Sequence, residues 1–270
     1  MTEHKFIASL QNPLIKKVVQ LKDKKRDRLK TGLFILEGQR EFEMAIKGEY
    51  TIETILFEPT LISEAEIKAL LKETRSTPEI IEISKDVYQR IAYRAKTEGI
   101  LALAKTKSHS LKDLVFENDN PLILVAEAPE KPGNIGALLR TADAANLDAV
   151  LIANPKSDLY NPNIIRSSVG CVFTVNTAMA STTEIIDFLK DKKIQIWAAS
   201  LTGKSVYSNV NFSKSSAIVV GTEATGLSEE WLAQSDSEII IPMQGSIDSM
   251  NVSVSAAILI FEAKRQRGFE

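Results

Sequence analysis

The sequence is poor in the residues that build disulfide frameworks and metal sites. Its 270 residues include one cysteine, Cys171, and two histidines, His4 and His109. A single cysteine forms no intramolecular disulfide, and so few thiol and imidazole groups exclude a Cys/His metal cluster. We therefore expect a protein that has no metal cofactor and works in a reducing compartment, the cytoplasm.

Long apolar runs are also missing from the sequence. The opening stretch MTEHKFIASLQNPLIKK has no apolar signal core, and no later run reaches the length that a membrane-spanning helix needs. The composition, 44% hydrophobic and 25% charged, is that of an ordinary globular chain. We expect no membrane partner.

The formal net charge of -2 is unevenly distributed along the chain. The first 30 residues carry nine Lys or Arg against Glu3, Asp23 and Asp27, which is a net +6. This pattern is typical of a basic arm that binds nucleic-acid phosphates, and it is also typical of a solvated basic helix. The candidates for phosphate contact are Lys16, Lys17, Lys24, Lys25, Arg26 and Arg28.

The order of the predicted elements divides the chain into two α/β domains. The stretches LFILEG, TIETILF, EIIEIS and GILALAKTK alternate with helical patterns, which predicts a small domain over residues 1–106. Residues 107–119 are polar and rich in turn formers, and we interpret them as a linker. From residue 120 to residue 270, apolar strands such as PLILVAEA alternate with helices, which predicts a parallel sheet.

Three polar or glycine-containing loops follow strands of this second domain, where parallel sheets bind their ligands. In PEKPGNIGALLRTADA, Asn134 is placed to cap a helix and Arg140 lies on another face. Taken alone, these two residues fit a simple cap and a solvated surface residue. The second loop, GTEATGLS, differs from a dinucleotide fingerprint because Glu223 stands where the second glycine is needed, and a carboxylate there repels pyrophosphate.

The third loop lies in IPMQGSIDSMNVSVSAAILIFEAKRQR, between a strand and the last helix. Asp248 or Ser249 can cap that helix. One cap does not account for the whole set of polar side chains in the loop, which also includes Gln244, Ser246 and Asn251.

The three loops together, in this order and spacing, resemble the three motifs of the SpoU (TrmH-like) RNA 2′-O-methyltransferases of the SPOUT class. The N-terminal segment NPLIKKVVQLKDKKRDRLKTGLFILEGQREFEMAI resembles that family's substrate-binding domain. The resemblance implies an α/β fold with two parts. One is a C-terminal SPOUT parallel sheet with a deep trefoil knot, and the other is a smaller N-terminal domain similar to ribosomal protein L30e.

The resemblance also implies a cofactor, S-adenosyl-L-methionine, bound in a bent conformation by the knot. Asn251 and Ser249 would orient groups near the reacting centre, and Asn134 would position the catalytic loop. Glu223 would hold Asn251, Arg140 or a substrate hydroxyl. Arg140 would act as a phosphate clamp or as the base; an unaided base role conflicts with the protonated state that arginine keeps. The implied catalytic set is Asn134, Arg140, Glu223, Ser249 and Asn251. The implied cofactor set is Val220, Gly221, Thr222, Gly226, Ile241, Met243, Met250 and Val252.

The resemblance extends to RNA contacts and to assembly. The segment NPNIIRSSVG is similar to an additional basic segment of the family, which makes Arg166 and Ser167 candidates for RNA contact. The family acts on RNA and forms homodimers through the last helix. The expected substrate is 23S ribosomal RNA, and transfer RNA is the alternative. Lys131-Pro132-Gly133 replaces the usual Asp-Pro before Asn134, and Met250 replaces the usual leucine.

Two other functional classes compete with this interpretation. A nicotinamide or flavin oxidoreductase would need the glycine fingerprint that the chain lacks. A catalytically inactive RNA-binding protein would be expected to have lost motif residues, whereas Asn134, Arg140, Glu223, Ser249 and Asn251 are all present.

Overall fold

The computed structural model describes residues 5–74, 76–93, 98–222, 225–246 and 249–269. The chain forms two compact units. Unit 1 contains Met1–Lys107 and Asp158–Thr174, and unit 2 contains Ser108–Ser157 and Val175–Glu270. These units differ from the sequence-based boundaries. Residues 158–174 cluster with the N-terminal part of the chain, and most of the predicted linker belongs to unit 2.

The described residues contain twelve strands and ten α-helices. The strands are β1 Lys5–Ile7, β2 Leu33–Glu37, β3 Ile52–Phe57, β4 Glu79–Ile83, β5 Ile100–Lys105, β6 Leu122–Glu127, β7 Ala149–Ala153, β8 Thr177–Ala180, β9 Gln195–Ala199, β10 Ser205–Val206, β11 Ser216–Val220 and β12 Ser237–Ile240. The helices are α1 Pro13–Asp23, α2 Lys25–Thr31, α3 Gln39–Lys47, α4 Glu64–Leu70, α5 Lys85–Ile91, α6 Pro132–Ala144, α7 Pro162–Ser167, α8 Thr182–Asp191, α9 Glu229–Gln234 and α10 Val252–Gln266. None of the helices in the described ranges is long and apolar enough to cross a membrane.

Unit 1 is built on a mixed sheet with the strand order β1-β4-β3-β5-β2. Asn12 caps α1 through its side chain, and Pro13 occupies the first helical position. The basic stretch that follows forms two helices, because Lys24 adopts an extended backbone conformation between α1 and α2. The apolar face of α1, with Ile15, Val18 and Leu21, is buried against the sheet core.

Residues 158–174 belong to unit 1 because their side chains complete its core. The Tyr160 ring stacks on Phe34 with centroids 4.4 Å apart, and the Phe173 ring stacks on Phe34 at 5.6 Å. The hydroxyls of Tyr50 and Tyr160 lie 3.2 Å apart, and burial raises the pKa of both phenols. These contacts explain why a segment far along the chain packs with the first hundred residues.

Unit 2 is built on a seven-stranded parallel sheet with the order β10-β12-β9-β11-β6-β7-β8. Its central strands are buried along their whole length, as the apolar stretches predicted. Strand β11 lies beside β6 in parallel register, so that Val220 pairs with Ala126 at the carboxyl ends of both strands. Part of the predicted linker packs here, since Leu114 is buried in the core and the His109 carbonyl accepts a hydrogen bond from the Met179 amide.

The last helix is fixed to unit 2 near its C-terminal end. The Arg267 guanidinium donates hydrogen bonds to the backbone carbonyls of Asn120, Phe212 and Lys214. The Gln266 side chain accepts a hydrogen bond from the Phe212 amide at 2.8 Å and donates one to the Val210 carbonyl at 3.0 Å. Helix α10 also packs along α6 and β11, and this anchoring sets the position of its N-terminus.

Candidate active site

A cavity of about 230 Å³ lies in unit 2 beyond the carboxyl ends of β6 and β11. It brings together parts of all three loops that the sequence singled out: the start of α6, the end of β11 and the start of α10. Ligands bind at this position in open parallel sheets, because loops from adjacent strands converge there. The lining residues are Ala126, Pro129, Glu130, Lys131, Asn134, Gly221, Thr222 and Val252.

The loop after β11 is a tight turn that only glycine can start. A Cβ atom on Gly221 would lie 2.2 Å from the backbone carbon of Gly226, which is far inside van der Waals contact. Thr222 and Gly226 exchange two backbone hydrogen bonds of 3.0 and 3.1 Å, and the left-handed conformation of Gly226, with φ +69°, closes the turn. The cavity wall at this point is therefore bare backbone.

Glu127 holds this turn in place and was missed in the sequence analysis. Its carboxylate, at the end of β6, is only 6% exposed. It accepts a hydrogen bond from the Ser228 backbone amide at 2.8 Å, and the Thr182 hydroxyl lies at the outer hydrogen-bonding limit of 3.5 Å. A buried carboxylate needs such donors. The available sequence signal was one acidic residue at the end of an otherwise apolar strand.

Asn134 and Asn251 connect the first loop to the third. The Asn251 amide nitrogen donates a hydrogen bond to the Asn134 side-chain oxygen at 3.2 Å. The Asn251 side-chain oxygen accepts from the Ser253 amide at 2.9 Å, which makes Asn251 the cap of α10. The predicted cap positions were wrong. Asn134 lies within the first turn of α6, which starts at Pro132, and Asn251 takes the capping role expected of Asp248 or Ser249.

The other predicted catalytic residues are not drawn into this hydrogen-bonded pair. Arg140 is exposed on α6, and within the described ranges its guanidinium has no hydrogen-bond or ion-pair partner. Ser249 is exposed just before α10. Glu223 and Asp248 lie outside the described residues. The catalytic roles of Arg140, Ser249 and Glu223 therefore stay predictions.

The predicted cofactor residues fall into two groups. Gly221, Thr222 and Val252 line the cavity, whereas the described lining does not include the other five. Val220 is buried in β11 and Gly226 closes the turn. Ile241, Met243 and Met250 are half-buried in the segments that flank the third loop. The lining residues Ala126, Pro129, Glu130 and Lys131 were not predicted, although Pro129, Glu130 and Lys131 stand in the first motif.

The predicted RNA contacts lie in unit 1, and most of them are accessible. Lys16, Lys24, Lys25 and Arg26 are exposed, and Lys17 is half-buried. Arg166 is exposed on α7, while the Ser167 hydroxyl donates a hydrogen bond to the Asn163 carbonyl of the same helix.

Arg28 differs from these residues, and its assignment to phosphate binding is corrected. The residue is only 3% exposed. Its guanidinium donates to both carboxylate oxygens of Asp158, at 3.0 and 2.7 Å, and to the Leu21 carbonyl at 2.7 Å. A guanidinium held in this way is a structural element of the core and has no free donor face for RNA.

Unit 2 has a parallel sheet with a cavity beyond the carboxyl ends of two central strands, and a glycine turn forms part of the cavity wall. These features define unit 2 as a ligand-binding α/β domain. Residues 121–261 match the SpoU rRNA Methylase family, and residues 12–102 match the MRM3-like substrate binding domain. The chain belongs to the SpoU rRNA methylase family.

Individual relatives agree with this membership. The chain is 28% identical over 267 residues to the 23S rRNA (guanosine(2553)-2′-O)-methyltransferase RlmP of Bacillus subtilis, across 96% of this chain and 99% of that protein. A crystal structure of an RNA 2′-O ribose methyltransferase is 37% identical, with a TM-score of 0.83 and coverage of 97% and 99%. An AdoMet-bound rRNA methyltransferase from Sinorhizobium meliloti is 25% identical, with a TM-score of 0.88 and 97% coverage of both chains. The expected α/β fold is confirmed, and the trefoil knot stays a prediction.

Proposed function

We propose that this protein is an S-adenosylmethionine-dependent methyltransferase that modifies a ribose 2′-hydroxyl in 23S ribosomal RNA. The observation that carries the proposal is the unit 2 cavity, whose walls come from the three loops that resemble the family motifs. Relatives that share nearly the whole chain are named as rRNA 2′-O-methyltransferases, which supports the same substrate class. Ribosomal RNA as the substrate would place the protein in the cytoplasm.

The lining of the cavity suits the chemistry of this cofactor. Ala126, Val252 and Pro129 offer apolar contacts for a flat adenine ring. The bare backbone at Gly221 allows a ligand to approach N–H and C=O groups closely, as adenine and ribose edges require.

The chemistry requires an accurately placed sugar hydroxyl. S-adenosylmethionine supplies an electrophilic methyl group carried on a sulfonium sulfur. The Asn134–Asn251 hydrogen bond fixes the start of α6 against the start of α10, and so holds two walls of the cavity together. Arg140, exposed two turns into α6, is available to hold a phosphate of the RNA and to stabilise negative charge as the hydroxyl loses its proton.

Unit 1 would bind the RNA, as its match to a substrate-binding domain suggests. The accessible cations on and between α1 and α2 form a surface suited to phosphate contact, which consists of the half-buried Lys17 and the exposed Lys16, Lys24, Lys25 and Arg26. Such contacts are not sequence-specific, so we expect selection to depend on the folded shape of the RNA and on unpaired nucleotides.

We further propose that the protein is a homodimer through α10. Val254 and Phe261 are 48% and 42% exposed, and with the half-buried Ala257 and Ile258 they form an apolar stripe at helical spacing. A stripe of this kind is expected to be covered by a partner. Light scattering is expected to give twice the 29.8 kDa chain mass, and Phe261→Glu is expected to shift the protein toward the single chain mass. Leu201→Glu, at an exposed apolar residue outside α10, is the control.

Two measurements test the proposed activity. S-adenosylhomocysteine is expected to raise the melting temperature while NAD leaves it unchanged, because only a ligand bound by the folded state stabilises it. Incubation with labelled S-adenosylmethionine is then expected to label 23S RNA from cells that lack the gene, with transfer RNA from the same cells as the comparison. Labelling of the transfer RNA alone would contradict the assigned substrate, and stabilisation by NAD alone would contradict the assigned chemistry.

A further inference from the structure

A second opening, in unit 1, is not used by the methyl-transfer site. It is a narrow crevice of about 20 Å³, which is room for roughly one water molecule, so a larger ligand can only bind across its mouth. Its walls combine side chains from β2, β5, α1 and α7 with residues at the end of α5, and they are mostly aliphatic. The lining residues are Lys22, Ile35, Glu37, Ile91, Tyr93, Leu101, Pro162, Ile165 and Arg166.

Tyr93 lies at the mouth of this crevice with 46% of its surface exposed. The Tyr93 backbone amide donates a hydrogen bond to the Glu37 carboxylate at 2.6 Å, which fixes the residue at the end of β2. The Arg166 guanidinium lies over the ring, 5.4 Å from its centroid. The ring therefore presents an aromatic surface beside a cation, where a further flat group can stack.

The cations beside the Tyr93 ring favour a ligand that is an anionic chain with flat side groups. Arg166 makes one hydrogen bond among the described residues, from Nη2 to the Asn163 side chain at 3.1 Å, so donors on its guanidinium remain available. Lys22 Nζ lies 3.3 Å from the Ile91 carbonyl at the crevice wall. Both cations can hold a phosphate beside the ring.

We propose that Tyr93 and Arg166 form a stacking site for an unpaired nucleotide of the substrate RNA, which is distinct from the nucleotide that is methylated. The base lies across the crevice mouth on the Tyr93 ring, and its backbone phosphate is held by Arg166 and Lys22. Aromatic and guanidinium planes are the groups on which splayed-out RNA bases stack. This inference rests on the proposed function, since it requires RNA as the substrate.

The test compares binding of two probes by the full-length protein. The probes are a short single-stranded oligoadenylate and an A-form RNA duplex of the same length. Tyr93→Ala is expected to weaken binding of the single strand by about tenfold, the order of effect found when a base-stacking aromatic is removed. Duplex binding should change little. Tyr93→Phe keeps the aromatic ring and is expected to bind both probes with the affinity of the wild-type protein.

Phe6→Ala is the matched control, because Phe6 is another exposed aromatic of unit 1, 57% accessible on β1, and is not part of the crevice. Arg166→Ala is expected to weaken single-strand binding and to reduce its dependence on salt concentration. S-adenosylhomocysteine affinity should be the same in all these variants, since the ligand cavity lies in unit 2.

Each outcome decides between the proposals. If the protein methylates 23S RNA and Tyr93→Ala binds the single strand with full affinity, the stacking site is wrong while the proposed function stands. An equal loss in Phe6→Ala would also overturn the site, because the effect would then belong to exposed aromatics in general. If the unmodified protein neither binds nor methylates RNA, both proposals fail.

Discussion

The cavity of unit 2 is lined mainly by residues at the ends of strands and the starts of helices, whereas the crevice of unit 1 is lined largely by side chains from within helices and strands. The first kind of site offers backbone groups in tight turns, which suit one small ligand of fixed shape. The second kind offers side-chain surface, which suits a base and a phosphate that arrive as part of a longer chain. The two regions should therefore respond to substitution in different assays.

The largest expected effect is a loss of stability, and it is found by comparing substitutions of two arginines on α2. Arg28→Ala removes the ion pair of the buried Asp158 carboxylate, which is expected to cost about 3–5 kcal/mol of unfolding free energy. Arg26→Ala removes an exposed side chain with only a 3.7 Å contact to Asp27 and should be nearly neutral. Denaturant unfolding measures both. Equal stability of the two variants would contradict the structural role given to Arg28.

Arg140→Ala tests the chemical step in unit 2. If Arg140 holds phosphate and stabilises charge, turnover is expected to fall by roughly 100- to 1,000-fold, the usual effect of losing one such electrostatic contact. S-adenosylhomocysteine affinity and melting temperature should not change, because Arg140 is exposed and is not among the cavity-lining residues. Full turnover with tight RNA binding would exclude both the clamp and the base roles.

Gly221→Ala tests the bare backbone wall of the cavity. The added Cβ would collide with the Gly226 backbone, so the turn must move, and S-adenosylhomocysteine affinity is expected to fall by about tenfold or more. Gly245→Ala is the matched control, because a Cβ there meets no atom within 4 Å. Calorimetric titration compares the two variants. Unchanged affinity in Gly221→Ala would show that the ligand binds elsewhere, and RNA binding by unit 1 should be unaffected in either case.

Substitutions in the Asn134–Asn251 pair should give the smallest effects. They separate the two roles of Asn251, which caps α10 and links it to Asn134. Asn251→Ala removes both the helix cap and the link to Asn134, so unfolding free energy should fall by about 1 kcal/mol together with turnover. Asn134→Ala removes the link but leaves the cap of α10 intact. It should lower turnover several-fold with little change in the melting temperature. Turnover equal to that of the unmodified protein in Asn134→Ala would show that the link is not needed.

The two regions also differ in how far the sequence predicts them. The cavity loops are continuous stretches at strand ends, so Gly221, Asn134 and Asn251 could be recognised by position and residue type. The capping box of α4, in which Ser63 and Glu66 satisfy each other's backbone amides, is likewise a local pattern of the kind that sequence alone reveals. Arg28 was misassigned because its partner, Asp158, lies 130 residues further along the chain. The Tyr93 crevice combines five separate segments, and no local pattern marks such a site.

Ribose-methylation mapping tests the central claim most directly. Total RNA is compared from cells with the gene, cells without it, and cells that carry only the Gly221→Ala form. We expect one 2′-O-methyl site in 23S RNA that is present in the first sample, absent in the second and strongly reduced in the third. Identical 23S methylation patterns in all three samples, or a gene-dependent site found only in transfer RNA, would contradict it.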